Sequence, residues 1–143
     1  MISLTTAVAL VLSTTHINPR DCAALVVFSE ARSESFLGQA LVAQVLVNRA
    51  RDSGEGLCEE MERYKQFHGV ENWPFPRRPW DIDEVSWEQS KEAANAAVDD
   101  AYVSSPNECK KARYFHTVDV VPPYAAGMKE LCRVGRHVFM VKE

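Results

Sequence analysis

The strongest pattern in the chain is the run from Cys22 to Phe28, in which every residue is apolar. A run without a polar face predicts a helix buried on all sides. Pro19 breaks the chain ahead of it and Asp21 is the predicted N-cap, which leaves Glu30 near the helix end. A second helix is predicted over 36–51, because Leu37, Ala40, Leu41, Gln44, Val45 and Asn48 recur at spacings of three and four. Ser53, Gly54 and Gly56 end it. Ser86 with Gln89 reads as a capping box, and Ala93, Ala94, Ala97, Val98 and Ala101 give the helix it opens an apolar face. Pro106 and Asn107 close that helix.

Residues 64–83 hold Gly69, Pro74, Pro76 and Pro79 among five aromatic residues, which predicts an irregular, aromatic-rich excursion. The stretches 112–118 and 137–141 are rich in aromatic and β-branched residues and predict two short strands. A Pro122–Pro123 turn and a brief helix separate them. The predicted class is α+β, helix-dominated, with a small antiparallel β element.

Composition narrows the partners. A chain of 143 residues, 46% hydrophobic, is expected to form one domain with a core of its own. Its formal net charge of -4 supplies no basic field for nucleic acid, and basic residues gather only at Arg77–Arg78 and from Lys110 to Arg113. Residues 1–15 are apolar and small, yet no Lys or Arg precedes the run and it is short for a bilayer. Residues 1–20 therefore read as an N-terminal arm or a weak signal or anchor segment, ahead of a domain over 21–143. Stable membrane insertion, a cofactor and a metal are not expected, and a monomer is. Cys22, Cys58, Cys109 and Cys132 form no C-x-x-C pair, which argues against a zinc knuckle or a redox motif. Two disulfides in any of three pairings, or four buried thiols, fit equally.

Glu30 is the candidate for chemistry. It follows Leu25-Val26-Val27-Phe28 and stands where the helix is ending. Apolar neighbours and the negative end of a helix dipole both disfavour a carboxylate, so the acid stays protonated toward neutral pH, as a general acid must. Three segments add to this. The first is Phe28-Ser29-Glu30-Ala31-Arg32-Ser33-Glu34, continuing through Gly38-Gln39-Ala40-Leu41-Val42-Ala43 to Val47-Asn48-Arg49. The second is Tyr64-Lys65-Gln66-Phe67. The third comprises Ala112-Arg113-Tyr114-Phe115-His116, Pro122-Pro123-Tyr124-Ala125 and Gly135-Arg136-His137-Val138-Phe139. Together they resemble the SleB-type cell-wall hydrolases, a family of spore cortex-lytic enzymes and phage endolysins. The likeness runs over residues 21–141 in order. It departs from the family at His68, where Ser is usual, and at Tyr124, where Trp is usual.

The resemblance implies a lysozyme-like catalytic domain over 21–143 that degrades peptidoglycan, with Glu30 as catalytic acid. Glu34, Gln66, Tyr114 and His116 are expected to contact substrate, Glu34 with an alternative structural role. Tyr114 and His116 alternate on a predicted strand and so share a face. His137 is expected to fix the fold. Phe67, Trp73, Phe75 and Trp80 serve either as sugar-stacking rings or as core.

Glycosidases ordinarily use two carboxylates. No second one is obvious here, whereas in muramic glycans the sugar's own 6-hydroxyl can attack. A lytic transglycosylase acting on the β-1,4 bond between N-acetylmuramic acid and N-acetylglucosamine is therefore expected. A hydrolytic muramidase would need a second residue, sought at Asp52, Glu55 or near Gln66. A zinc amidase would have to assemble ligands from His16, His68, His116 and His137. A non-catalytic wall-binding module and a nucleophile at Cys58 or Cys132 are further alternatives. The setting expected is a phage endolysin acting in the periplasm or cell wall, delivered by the N-terminal segment or through a holin.

Overall fold

The structure, a computed structural model, describes residues 18–68 and 83–143, the side chains of 64–68 excepted. The arm over 1–17 and the core of the aromatic excursion lie outside the described residues. Helix α1, Pro19–Ala31, starts earlier than predicted. Asn18, not Asp21, is the N-cap, and its Oδ1 accepts from the Arg20 amide at 2.8 Å. Pro19 then takes the first helical position, where its missing N–H costs nothing. Helix α2, Phe36–Ser53, is capped by Ser35 and closed by Gly54 at φ 74°. Both helices are buried around most of their circumference, α1 from Cys22 to Phe28 and α2 from Gly38 to Asn48. They form the centre of the domain.

Helix α3, Leu57–His68, is not among the elements the sequence pattern predicts. The Gly-rich turn before it and the aromatics after it masked a short amphipathic helix that buries Glu60 and Met61. Helix α4, Glu84–Val98, is capped by Asp83 and not by Ser86. Asp83 Oδ1 accepts from the Val85 amide at 3.0 Å, and its Oδ2 from the Ser86 hydroxyl at 2.8 Å. Trp87, Ala93, Ala94 and Ala97 pack α4 into the core, Trp87 edge-on to Phe28 at 6.3 Å.

The sheet has three antiparallel strands, not two. Strand β1, Tyr114–Thr117, and strand β2, Met128–Val134, flank β3, His137–Lys142. Strand β2 escapes sequence reading because Lys129, Glu130 and Arg133 are exposed and a register shift between Glu130 and Cys132 breaks the alternation. Short 3-10 helices at Asn107–Lys111 and Pro123–Ala125 flank β1 along the chain.

The cysteines form two disulfides. Cys22–Cys58 ties α1 to α3, and Cys109–Cys132 ties the first 3-10 helix to β2. With sequence separations of 36 and 23, each removes loop entropy from the unfolded chain, about 3–4 kcal/mol on that model. Neither Cys58 nor Cys132 is then a thiol, which removes the cysteine-nucleophile alternative. No described helix is long and apolar enough to cross a membrane.

Candidate active site

The apolar run that buries α1 carries the chain into a hollow. Glu30 stands in the last turn of α1, half-buried between exposed Ser29 and buried Ala31. It faces a space of about 450 Å³ walled by Phe115, His116 and Thr117 of β1 and by Pro122, Pro123 and Tyr124 of the following turn. Burial pushes its pKa up from the usual carboxylate value. The predicted direction is therefore found, and desolvation is its cause.

Tyr124 closes one side. Its hydroxyl donates to the Phe115 carbonyl at 2.8 Å, which holds the proline-bounded turn against β1. Burial, and then the nearby charge of Glu30, push the phenol up to about 12, so it stays protonated at neutral pH. In the sequence, Tyr124 is visible only as a departure from the family pattern. Its place beside Glu30 required the fold.

His116 lines the same hollow. Its Nδ1 lies 2.6 Å from the Thr117 carbonyl, so that nitrogen carries the proton and donates. In the neutral ring, Nε2 remains as an acceptor. Tyr114 shares the His116 face, opposite buried Phe115, but it opens on a neighbouring hollow. The Tyr114 and Tyr124 rings lie 5.9 Å apart and form the partition between the two spaces.

Glu34 is placed elsewhere. Its Oε1 accepts from the Arg136 amide at 2.7 Å and lies 2.8 Å from His137 Nδ1, with 11% of the side chain exposed. Burial alone would raise its pKa. The hydrogen bonds from Arg136 and His137, aided by their charge, instead hold it below the ordinary range. Gly135 belongs to this unit: its φ is 57°, and a Cβ there would meet Glu34 Oε2 at 2.7 Å. Glu34 thus staples the β2–β3 hairpin to the α1–α2 junction. Gln66 lies on α3 with its side chain outside the described residues, as are the side chains of Phe67, Trp73, Phe75 and Trp80.

Among the described residues lining the Glu30 hollow there is no second carboxylate. Asp52 is bound to Arg113 at 2.7 Å, and Glu55 is ion-paired with Arg63. Among the described residues no three His, Cys, Asp or Glu side chains gather as metal ligands. His16 and His68 lie outside the described side chains. His116 pairs with Val138 across the sheet, so His137 projects from the opposite face and the two imidazoles cannot share an ion.

The comparisons agree with this architecture. No curated protein matches the sequence. Among solved structures, the catalytic domain of the Bacillus cereus SleB protein superposes with a TM-score of 0.50 at 20% identity, covering 89% of this chain and 94% of that one. That likeness is one of fold. The sequence profile described as Cell Wall Hydrolase matches residues 33–140, beginning just after Glu30. With most of its length matched, from the α1–α2 junction through β3, the chain belongs to the cell wall hydrolase family, whose enzymes degrade peptidoglycan.

Proposed function

We propose that this protein cuts the glycan strands of peptidoglycan between N-acetylmuramic acid and N-acetylglucosamine, as a lytic transglycosylase with Glu30 as acid and then base. The observation that carries this reading is a lone carboxyl, desolvated in a hollow whose described lining holds no second one. Protonated Glu30 donates to the glycosidic oxygen as the bond to the muramic anomeric carbon breaks. The resulting carboxylate takes the proton of the muramic 6-hydroxyl while its oxygen bonds to that carbon. Glu30 ends as it began and no water is consumed. In this reading His116 Nε2 meets sugar hydroxyls, the Tyr124 ring a sugar face, and Tyr114 the next unit along the strand.

Mass spectrometry of fragments from purified sacculi tests the reading. Expected are 1,6-anhydro-muramic ends, one water lighter than hydrolysed ends and resistant to borohydride. Borohydride-reducible muramic ends would instead assign water as nucleophile, activated by a second residue. We extend the proposal to lysis of a bacterial host from within. Expression with and without a holin distinguishes holin release from export by the N-terminal segment.

A further inference from the structure

Beyond the Tyr114–Tyr124 partition lies the second hollow, about 370 Å³, within the size range of small-ligand sites. Its charged lining is Arg49, Arg63, Arg113 and Lys142 against Asp52 and Glu60. Four cations line it against two carboxylates. Most of this charge is committed. Arg113 holds Asp52 at 2.7 Å, Arg49 holds Glu60 at 3.1 Å, and Arg63 pairs with Glu55 at the rim. Lys142 is different. Its ammonium sits 5.7 Å from the centroid of the Tyr114 ring, and among the described residues no carboxylate pairs with it. It is exposed near the end of β3, on the side of the hollow that meets the partition.

The two hollows are neighbours across this partition, with Arg49 and Tyr114 lining one and Glu30 and Tyr124 the other, the two tyrosine rings 5.9 Å apart. A glycan strand bound at Glu30 would carry, on its muramic lactyl group, a short peptide that ends in a carboxylate and leaves the strand sideways. We propose that the Lys142 hollow receives a carboxylate of this peptide stem and so sets the register of the strand at Glu30. Lys142 supplies the charge, and the Tyr114 ring beneath it fixes the ammonium by a cation–π contact. The inference rests on the glycan-cleaving reading for its substrate.

The test uses a free stem tetrapeptide, which contains no glycosidic bond, titrated at low salt into isotope-labelled protein and followed by NMR. Wild type and Glu30→Gln should bind it equally, with shifts centred on Tyr114 and Lys142, while Lys142→Glu should bind about fivefold more weakly or worse. Equal binding to Lys142→Glu, shifts centred elsewhere, or no binding would overturn the proposal. A second arm compares peptide-bearing strands with strands stripped of their peptides. Wild type should prefer the former, and Lys142→Glu should lose that preference about fivefold. Equal loss on both substrates would also overturn it. If the enzyme cuts no glycan at all, the functional reading fails while the tetrapeptide result stands by itself.

Discussion

Glu30 lies inside the last turn of α1 with a hollow before it, and Glu34 lies just past that helix with a histidine and a backbone amide both on its Oε1. Both side chains are partly withdrawn from water, yet their acidities move apart: burial raises Glu30, whereas hydrogen bonds from Arg136 and His137 lower Glu34. Desolvation without partners makes a proton donor, and desolvation with partners makes a fixed anion. Pairs of carboxyl groups driven apart in this way mark a division of roles. On the proposed mechanism the division here is between chemistry and architecture.

The largest effect should follow from Glu30→Gln. The amide cannot donate the acid proton, so cleavage should fall at least about a hundredfold on sacculi. Stability should move the other way. A carboxyl raised in the folded state contributes stability that is full below its unfolded pKa and lost as pH rises through the folded one. At neutral pH the Gln variant should therefore melt no lower than wild type. The same titration gives wild-type activity an alkaline limb above the ordinary carboxylate value. A folded Gln variant with wild-type turnover would dissolve the contrast between the two glutamates.

Glu34→Gln should show the converse, a loss of stability of about 2 kcal/mol with a smaller loss of turnover, read by denaturant melts beside activity. Gln can keep one oxygen on the Arg136 amide and on His137, but both hydrogen bonds then lose the carboxylate charge that strengthens them. Because the folded pKa of Glu34 is depressed, its contribution is present above the unfolded value and vanishes as pH falls through the folded one. The acid limb of the wild-type stability curve should accordingly flatten in the variant. A greater loss of turnover here than in Glu30→Gln would mean the acid has been assigned to the wrong residue.

How much of this contrast is legible in the sequence differs between the two sites. The buried helix and the direction of the Glu30 shift follow from Cys22–Phe28 alone, because a continuous apolar run both buries a helix and desolvates what ends it. The Glu34 staple does not, since its partners stand 102 and 103 residues away and meet it only after the hairpin forms. The third strand was hidden for a related reason. Its charged residues are exposed at a sheet edge, so pairing with β3, and not an apolar alternation, makes it a strand. At α1 and α4 the caps, Asn18 and Asp83, stand ahead of the ones the sequence predicts, Asp21 and Ser86, because each side chain accepts from amides of the first turn. Tyr124 became a wall of the hollow only through the turn that carries it.

Gly135→Ala sharpens the architectural side. A side chain at φ 57° costs about 1–2 kcal/mol, and the new Cβ would also press on Glu34 Oε2. Paired with Glu34→Ala, the substitution should cost less than alone, because that contact disappears. The double-mutant cycle measures the coupling. Strict additivity would separate Gly135 from the Glu34 unit.

Tyr124→Phe should have the smallest effect and bears on the chemical side. It removes the hydroxyl that donates to the Phe115 carbonyl while keeping the ring that walls the hollow. One lost hydrogen bond at a partly buried turn costs about 1 kcal/mol, visible as a modest drop in melting temperature. Turnover should stay within about threefold of wild type, since a change of 0.6 kcal/mol or so in positioning alters a rate by that much. The phenol, pushed up to about 12, holds its proton at neutral pH and so cannot serve as the base that the proposed mechanism assigns to Glu30. If Tyr124→Phe instead reduced turnover as deeply as Glu30→Gln, with the fold intact by circular dichroism, the phenol would be a chemical participant. Glu30 would then no longer be the sole proton carrier, and the hollow would have to be read as a two-residue site.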